Sequence, residues 1–203
     1  MLASASSQSP EVVVRYSTTH KEETRQKLLE SSGALAKRGG FSSTGVDGLM
    51  KAIGLTGGAF YSHFPSKNDL FTAIVQRELS TSPIGLMARG DGFCRDKLER
   101  CLSRYLSMAH LQNADTGCAI PALGAEIARA DLAVREEAEH WMLQLQRAWA
   151  EILEDGELAW ALISQCVGAL VVARMLAREE TQAEVLEASR AFLGRVVDER
   201  LER

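Results

Sequence analysis

The sequence has few of the residues that interrupt helices or favour strands. Only 4 of its 203 residues are proline and 6% are aromatic, whereas 46% are hydrophobic and Ala, Leu, Glu and Arg are abundant. This composition argues against a strand-based fold and predicts an all-helical protein. The hydrophobic share is large enough for a sizeable core in one or two domains.

Cysteine is scarce as well, and long apolar runs are missing. The four cysteines are not closely paired, which argues against a disulfide framework or a Cys-x-x-Cys metal site and suits free thiols in a reducing cytoplasm. No stretch approaches about 18 consecutive apolar residues, so we predict no transmembrane helix. The Ser-rich first ten residues lack the basic start and the apolar run of a secretory signal.

The chain also lacks a basic excess, since its formal net charge is −4. Taken alone, that charge argues against nucleic acid as a partner. The distribution is uneven, however, because residues 1–80 carry 9 Lys or Arg and 7 Asp or Glu, whereas residues 81–203 carry 14 and 20. This asymmetry favours an N-terminal DNA-binding module attached to an acidic domain.

The stretch over residues 40–73 contains three helix starts at close spacing. We predict a helix over residues 46–53, a tight turn at Gly54 that needs a positive φ angle, and a second helix over residues 56–63. Two short helices around a glycine turn form a helix-turn-helix, whose second helix enters the DNA major groove. The predicted caps are hydroxyl residues, two of them followed by an acid as in a capping box: Thr44 with Asp47, Thr56, and Ser66 with Asp69. The predicted shared core of the two helices is Leu49, Ile53, Leu55 and Phe60.

Residues 54–70 read GLTGGAFYSHFPSKNDL and resemble the signature of the tetracycline-repressor (TetR) family of transcriptional regulators. The match is specific because the block Phe60-Tyr61-x-His63-Phe64-x-x-Lys67 follows the helix-turn-helix pattern. The resemblance covers about residues 18–80. It implies an all-α protein of about nine helices, in which an N-terminal three-helix helix-turn-helix domain precedes a helical ligand-binding and dimerisation domain. We therefore predict a disordered extension (1–17), a DNA-binding domain (18–80) and a ligand-binding and dimerisation domain (81–203).

The predicted DNA-binding residues surround the second motif helix. Free N–H groups at its start favour phosphate, and adjacent glycines suit close approach of backbone to DNA, or else mark a loosely formed helix start. The resemblance places Tyr61, His63 and Lys67 on the DNA backbone; the alternative is that the Tyr and His pack internally and the Lys is solvated. Base reading would rest on Lys51, Thr56 and the region of Tyr61. The complete set is Thr44, Lys51, Thr56, Gly57, Gly58, Tyr61, His63 and Lys67.

Beyond a linker at residues 81–92, five further helices are predicted. They span residues 93–112, residues 117–129 with an interruption at Pro121, and residues 131–154, 157–178 and 181–201. The stretch over residues 158–176 is apolar nearly all round, so it must be covered on more than one side. The resemblance implies homodimerisation through the last two helices, and burial in the subunit's own core is the alternative. The predicted interface residues are Leu162, Gln165, Gly168, Ala169, Val172, Leu186, Phe192 and Leu193.

The resemblance further implies a small apolar or amphipathic effector bound in the C-terminal domain. The candidate ligand-binding residues, which could equally be plain core, are Tyr105, Met108, Leu111, Cys118, Leu123, Trp141, Leu145 and Cys166. Cys118 follows Thr116-Gly117 at a predicted helix start, which would lower its thiol pKa and suggests an electrophile or oxidant sensor. The alternative is a structural thiol. Cys94, Cys101 and Cys166 fall inside predicted helices.

Other functional classes fit less well. His110, Cys118, Glu126 and His140 match no metal-ligand or nucleophile spacing, and the sequence has no phosphate-binding glycine loop, so we predict no enzyme, cofactor or metal. A helical adaptor that binds only protein would leave residues 56–67 unexplained. The sequence therefore predicts a cytoplasmic, nucleoid-associated homodimeric regulator, more in keeping with a repressor than an activator. Its predicted partners are double-stranded operator DNA and a small effector, with no membrane.

Overall fold

The computed structural model describes residues 18–82 and 95–201, and these residues fold into ten helices. The predicted disordered extension and most of the predicted linker lie outside the described residues, as does Cys94. The all-α fold with an N-terminal helix-turn-helix is confirmed. The helices are α1 (Thr18–Gly39), α2 (Val46–Ala52), α3 (Gly57–Ser62, a 3₁₀ helix), α4 (Lys67–Ser80), α5 (Arg95–Tyr105), α6 (Met108–Gln112), α7 (Ile120–Ile127), α8 (Leu132–Leu153), α9 (Gly156–Met175) and α10 (Glu179–Leu201).

Local signals set the limits of the N-terminal helices. Helix α1 ends where Gly40, at φ 88°, donates its amide to the Ala36 carbonyl at 2.8 Å. Gly54 has φ 76°, as the predicted turn between α2 and α3 requires. Ser66 caps α4, because its Oγ accepts from the Asp69 amide at 3.1 Å and donates to the Asp69 carboxylate at 2.6 Å. The predicted cap at Ser66 is therefore confirmed.

The predicted cap at Thr44 is wrong. Gly45 is the cap residue of α2, and Thr44 lies one residue too early, so its hydroxyl turns back to the Gly40 carbonyl at 3.4 Å. Thr56 does occupy the cap position of α3 but makes no side-chain cap bond. Leu49 and Phe60 are fully buried as predicted, whereas Leu55 is 37% exposed because it lies in the turn directly after Gly54.

The helices of the second half differ from the predicted ones at two residues, Ser107 and Pro121. The helix predicted over residues 93–112 is two helices, since Ser107 starts α6 by accepting from the His110 amide at 3.2 Å. Pro121 lies in the first turn of α7 and does not interrupt it, because a first-turn proline loses no helical hydrogen bond. Helix α8 ends at Glu154 (φ 50°), and Arg200 donates to the carbonyls of Leu153 and Glu154 at 2.8 and 2.9 Å.

Two apolar cores hold the helices together. The first fills the space between α5, α8, α9 and α10 around the fully buried Trp149. The second is built on α1 to α4, and it continues across the predicted domain boundary into α7 and α8 through Leu123, Val134 and Ala138. Helix α4 accordingly packs along α8. The helix-turn-helix is thus fixed to the second half of the chain by shared core.

Helix α9 bears on the sequence prediction that the chain has no transmembrane helix. Its 20 residues are long and apolar enough to cross a membrane by length and composition, with a mean hydropathy of 1.7 over 18 residues. The sequence prediction of no transmembrane helix rested on the lack of a long unbroken apolar run, and Ser164 and Gln165 interrupt the run in this helix. A core helix meets the same criteria, and 39% of that window is buried inside the protein.

Candidate functional site

The helix-turn-helix presents one tightly anchored ring and one exposed ring. Phe60 is completely buried between α2 and α4, while the adjacent Tyr61 is 67% exposed and meets Phe60 edge-on at 5.3 Å between ring centroids. The exposed Tyr61 excludes the alternative in which it packs internally. Lys51 and Thr56 are exposed as well. These three side chains are therefore free to meet a ligand as large as duplex DNA.

The two glycines at the start of α3 have different reasons to be there. A Cβ at Gly57 would overlap the carboxylate of Asp47 on α2, so a side chain at this position would have to displace Asp47. A Cβ at Gly58 would meet no atom within 4 Å, which leaves Gly58 open to solvent. Of the two predicted close approaches to DNA, only the one at Gly58 lacks an internal explanation.

His63 and Lys67 both pack against other parts of the helix-turn-helix half. Burial, followed by the positive charges of Lys21 and Arg25, lowers the pKa of His63, and its Nδ1 is buried without a partner among the described residues. Lys67 Nζ donates to the Ser42 carbonyl at 3.2 Å and lies 4.8 Å from the centroid of the Phe41 ring. Its other N–H groups remain available, so a phosphate contact would hold a side chain that is already oriented.

The start of α1 adds positive charge that sequence reasoning missed. Arg25 lies over the Phe64 ring at 4.7 Å from its centroid, and Lys21 is exposed beside His63. The available signal was the i, i+4 spacing of Lys21 and Arg25, which puts both on one helix face. Thr44 is half-buried with its hydroxyl turned towards Gly40, so its contact with phosphate stays a prediction.

A cleft of about 230 Å³ lies between the end of α5, helix α6 and the loop that leads to α7. It contains two of the eight predicted ligand-binding residues, Tyr105 and Cys118. Leu111, Leu145 and Cys166 belong to the first core and Met108 packs against it, whereas Leu123 and Trp141 belong to the second core. These six apolar residues pack in or against the two cores, and their contact with an effector stays a prediction. The lining residues that sequence reasoning missed are Cys101, Arg104, Ser107, Ala109, His110, Asn113, Thr116 and Gly117.

His110 fixes the shape of the cleft. Its Nε2 accepts from the Cys118 amide at 2.9 Å, so its Nδ1 carries the proton and donates to the Tyr105 carbonyl at 2.7 Å. A Cβ at Gly117 would overlap the His110 ring, and so the loop can pass this closely only with glycine. Burial lowers the pKa of His110, in the direction of the neutral ring that these two bonds require. The histidine thus ties the loop to α5 and α6.

Cys118 does not have the properties predicted for a reactive thiol. It is 2% exposed, and burial raises its thiol pKa despite the amide of Ile120 and the hydroxyl of Tyr105 beside the sulfur. The expected lowering by a helix start is wrong because loss of solvation outweighs the effect of the helix end. Cys101 and Cys166 are also buried free thiols, and burial raises the pKa of Cys101 to about 12.

Polar contacts join the cleft loop to the DNA-binding half. Lys37 Nζ on α1 donates to Glu78 at 2.6 Å and to the Gly117 carbonyl at 3.3 Å, and its side chain is only 5% exposed. Arg38 pairs with Asp115 on the same loop at 2.6 Å. The cleft wall and the end of α1 therefore move together or break these bonds.

Helix α7 makes a second connection through Glu126. Its carboxylate accepts from the amides of Phe41 and Ser42 at 2.9 and 2.7 Å and from the Ser42 hydroxyl at 2.8 Å. These bonds outweigh partial burial and lower the pKa of Glu126. Sequence reasoning placed Glu126 only in a rejected catalytic set; the structure makes it the anchor of the turn between α1 and α2. Among the described residues, no cluster of His, Cys, Asp and Glu could hold a metal ion.

The predicted dimer residues divide into two groups. Leu162, Ala169, Leu186 and Leu193 are at most 5% exposed and fill the subunit's own core, so their assignment to an interface is wrong. Val172 and Phe192 are each 48% exposed, and Gly168 faces open space. Gln165 is exposed and donates to Ser189 on α10 at 3.3 Å. The other large apolar side chains exposed on α9 are Trp160, Val171 and Met175.

Comparison with known proteins gives similarity of two kinds. A sequence model described as "Bacterial regulatory proteins, tetR family" matches residues 28–74. The HTH-type transcriptional regulator AcrR of Shigella flexneri is 42% identical over 73 residues, which are 36% of this chain and 33% of AcrR. The HTH-type transcriptional repressor NemR of Escherichia coli K12 is 26% identical over 110 residues, 53% of this chain and 55% of NemR. The chain thus spans about a third of AcrR and about half of NemR in these alignments.

Solved structures are similar over nearly their whole length. The reduced form of E. coli NemR has a TM-score of 0.72 at 20% identity and covers 86% of this chain and 97% of its own. A TetR-family transcriptional regulator from Agrobacterium tumefaciens has a TM-score of 0.72 at 19% identity, with 86% and 98% covered. At these identities the likeness extends to the fold alone.

Proposed function

We propose that this chain, which belongs to the TetR family of bacterial transcriptional regulators, is a repressor. It would bind a palindromic operator as a homodimer and leave the operator when a small effector binds. The proposed location is the cytoplasm, on the nucleoid. The single observation that carries the DNA-binding role is the exposed edge of the helix-turn-helix, where Tyr61 is 67% exposed and packs edge-on against the buried Phe60.

The proposed DNA contacts fall into two classes. Tyr61, Lys67 and the basic pair Lys21 and Arg25 would hold phosphates, which sets the position of the protein but not its sequence preference. Lys51 and Thr56, both exposed, would reach base edges in the major groove. Gly58 would let the backbone approach the duplex, because no atom of the described residues lies within 4 Å of a Cβ built there.

Homodimerisation is proposed through the outer faces of α9 and α10. Trp160, Val172, Met175 and Phe192 there are between 39% and 79% exposed, which is unusual for large apolar side chains in one region. Covering them with a second copy would remove this area from water. A two-fold axis would also supply the second recognition helix that a palindrome needs, about 34–36 Å from the first.

Release of DNA is proposed to begin at the cleft. An effector that binds one arrangement of the 113–118 loop more tightly than another shifts the population of the two arrangements. The loop is bonded to α1 through Lys37 and Arg38, and α7 is bonded to the following turn through Glu126. A shift of the loop would therefore reach the DNA-binding helices directly and change the distance between the two recognition helices.

The test is equilibrium binding to the DNA upstream of the protein's own gene. We expect fluorescence anisotropy to show binding to this fragment that exceeds binding to a scrambled fragment of equal length by at least about a thousandfold, the low end for specific DNA-binding proteins. Equal affinity for both fragments would contradict a sequence-specific regulator. An adaptor that binds only protein would raise the anisotropy of neither DNA fragment.

The thiol-sensing alternative predicts a different response. An electrophile or peroxide would release DNA from the wild type but not from Cys118→Ser if Cys118 were the sensor. Because the thiol is buried and its pKa is raised, we expect the electrophile or peroxide to release DNA slowly, and at the same rate from the wild type and from Cys118→Ser. Rapid release that Cys118→Ser alone abolishes would reverse this assignment.

A further inference from the structure

The cleft beside Cys118 is positively charged. Arg104 is the one charged residue among the ten that line it, and none of them carries a carboxylate. Arg104 is exposed and has no ion-pair partner among the described residues. The positive charges of Arg174, Arg104 and Lys37 all act on His110 in the wall of the cleft.

A second arginine reaches the same wall from α9. Arg174 Nη2 and Nε donate to the carbonyls of His110 and Leu111 at 3.2 and 3.4 Å. Its third nitrogen, Nη1, is buried and has no hydrogen-bond partner among the described residues. A buried donor without a partner costs free energy, and a charged one costs more than a neutral one. The guanidinium is therefore short of one acceptor.

The neighbouring acids are already neutralised. Glu78 forms ion pairs with Lys37 at 2.6 Å and with Arg77 at 2.8 Å. Asp115 on the cleft loop is bound to Arg38 at 2.6 Å. Both ring nitrogens of His110 are used by Tyr105 and Cys118. None of these groups is left to balance Arg104 and Arg174.

The uncharged polar side chains of the lining are engaged as well. Ser107 donates to the Arg104 carbonyl at 2.8 Å while it caps α6, and Asn113 donates to the Ala109 carbonyl at 2.8 Å. Thr116 donates to the Asn113 carbonyl at 3.4 Å. Of the lining side chains, Arg104 is thus the cationic donor left without an ion-pair partner among the described residues, beside the apolar surface of Tyr105, Ala109 and the thiols. Arg174 is not a lining residue, but it adds its charge next to the carbonyls of His110 and Leu111.

We propose that this cleft binds a small organic anion, a carboxylate carried on a compact apolar body. The inference rests on the effector role proposed above for the same cleft, and it names the chemical class of that effector. The carboxylate would accept from Arg104 in the cleft lining, since hydrogen bonds between two charged groups are stronger than neutral ones. The positive charge of Arg174, held against the carbonyls of His110 and Leu111, would favour the anion further. The volume of about 230 Å³ lies below the range of about 300–1,000 Å³ usual for drug-sized ligands, so the apolar body is small.

The test uses calorimetric titration of the full-length protein with three acids and their uncharged amides: acetate and acetamide, hexanoate and hexanamide, benzoate and benzamide. Each pair matches the size and shape of the ligand and differs in charge. We expect at least one acid to bind about tenfold or more tightly than its amide, the difference that one charge-assisted bond supplies. If no acid binds more tightly than its amide, the proposal is wrong.

Matched variants locate the site. Arg174→Gln and Arg104→Gln should each remove most of the preference for the acid, and Arg174→Lys should keep part of it. Arg147→Gln changes an exposed arginine on α8, away from the cleft, and should leave the preference unchanged. A preference that survives both glutamine variants contradicts the proposal. Arg104 is exposed, so Arg104→Gln decides the question even if Arg174→Gln fails to fold.

Operator binding is measured separately with the acid that binds. Release of labelled operator by this acid, but not by its amide, supports both the anion site and the repressor function. Tight binding of the acid without release of DNA keeps the anion site and contradicts the effector role. If no acid binds the protein while the operator still binds, the anion site is contradicted and the DNA-binding function is kept.

Discussion

The two halves of this molecule relate to known proteins in opposite ways. The sequence model of the tetR family matches residues 28–74, inside the helix-turn-helix half, whereas the likeness of the whole chain to solved structures lies near 20% identity. The first half must present a fixed set of groups to a duplex whose dimensions do not change. The second half has only to stay helical and to build a cleft, which many sequences do.

The halves also differ in how their structure is determined. In α1 to α4 the defining contacts are local, such as Ser66 with Asp69 or Gly54 in its turn. In the cleft they join residues far apart in the sequence, such as Arg174 with His110 and Lys37 with Gly117. The proposed release of DNA by an effector depends on the few bonds that connect the two halves, so these bonds are the place to test the proposal.

Removing the buried charge of Lys37, which pairs with Glu78 in its own half and donates to the Gly117 carbonyl of the other, should have the largest effect. Lys37→Met would leave Glu78, whose side chain is 10% exposed, with Arg77 as its remaining cation. We expect the free energy of unfolding to fall by about 3 kcal/mol, as for one partner of a buried pair. Urea denaturation would measure it. The matched control is Arg38→Met in the pair with Asp115, where Arg38 is 64% exposed and the loss should stay below about 1 kcal/mol. If Lys37→Met and Arg38→Met lost the same unfolding free energy, burial would not explain the difference expected between the two ion pairs.

A charge on the outer face of α10 should separate the subunits. Phe192→Glu would place a carboxylate in the proposed dimer interface, and we expect monomers by light scattering and operator affinity lower by about a hundredfold or more. Leu132→Glu is the control, because Leu132 is 60% exposed on α8 outside that face. Phe192→Glu that remains a dimer with normal affinity would place the interface elsewhere.

Weakening the α7 link should cost less and should depend on pH. Glu126→Gln keeps the shape but loses charge-assisted bonds to Phe41 and Ser42, at a cost of about 1 kcal/mol after allowance for solvent screening. The pKa of Glu126 is lowered in the folded state from its ordinary value of 4.5. Its contribution is therefore complete above pH 4.5 and is lost as pH falls through the lowered value. The difference in unfolding free energy between wild type and variant should shrink over that acidic range; a difference that grows there would contradict the assignment.

The smallest predicted effects belong to single phosphate contacts. Tyr61→Phe and Lys67→Ala should weaken binding to all DNA sequences alike, by a few-fold each, because phosphate contacts carry no sequence information. Lys67→Ala should also reduce the slope of log affinity against log salt by about one unit. Anisotropy titrations at several salt concentrations measure both. Unchanged affinity and slope in folded variants would remove these residues from the DNA face.

The helix-turn-helix was predictable because its signals lie within a few residues of their effects. Gly54, Ser66 and Phe60 behave as the pattern indicated, and the error at Thr44 is a shift of one residue. The cleft was not predictable in the same way. Arg104, Arg174 and His110 meet only after α5, α6 and α9 have packed, and the burial that raises the pKa of Cys118 is a tertiary property.

The central claim is that paired helix-turn-helix edges read one DNA site, and footprinting of the DNA upstream of the protein's own gene tests it most directly. The account predicts one protected region with two-fold symmetric half-sites, whose centres lie about one helical turn, or 10–10.5 base pairs, or a multiple of that apart. Phe192→Glu should lose this protection while Leu132→Glu keeps it. Protection that is uniform along the fragment, or confined to a single half-site in the wild type, would contradict the claim.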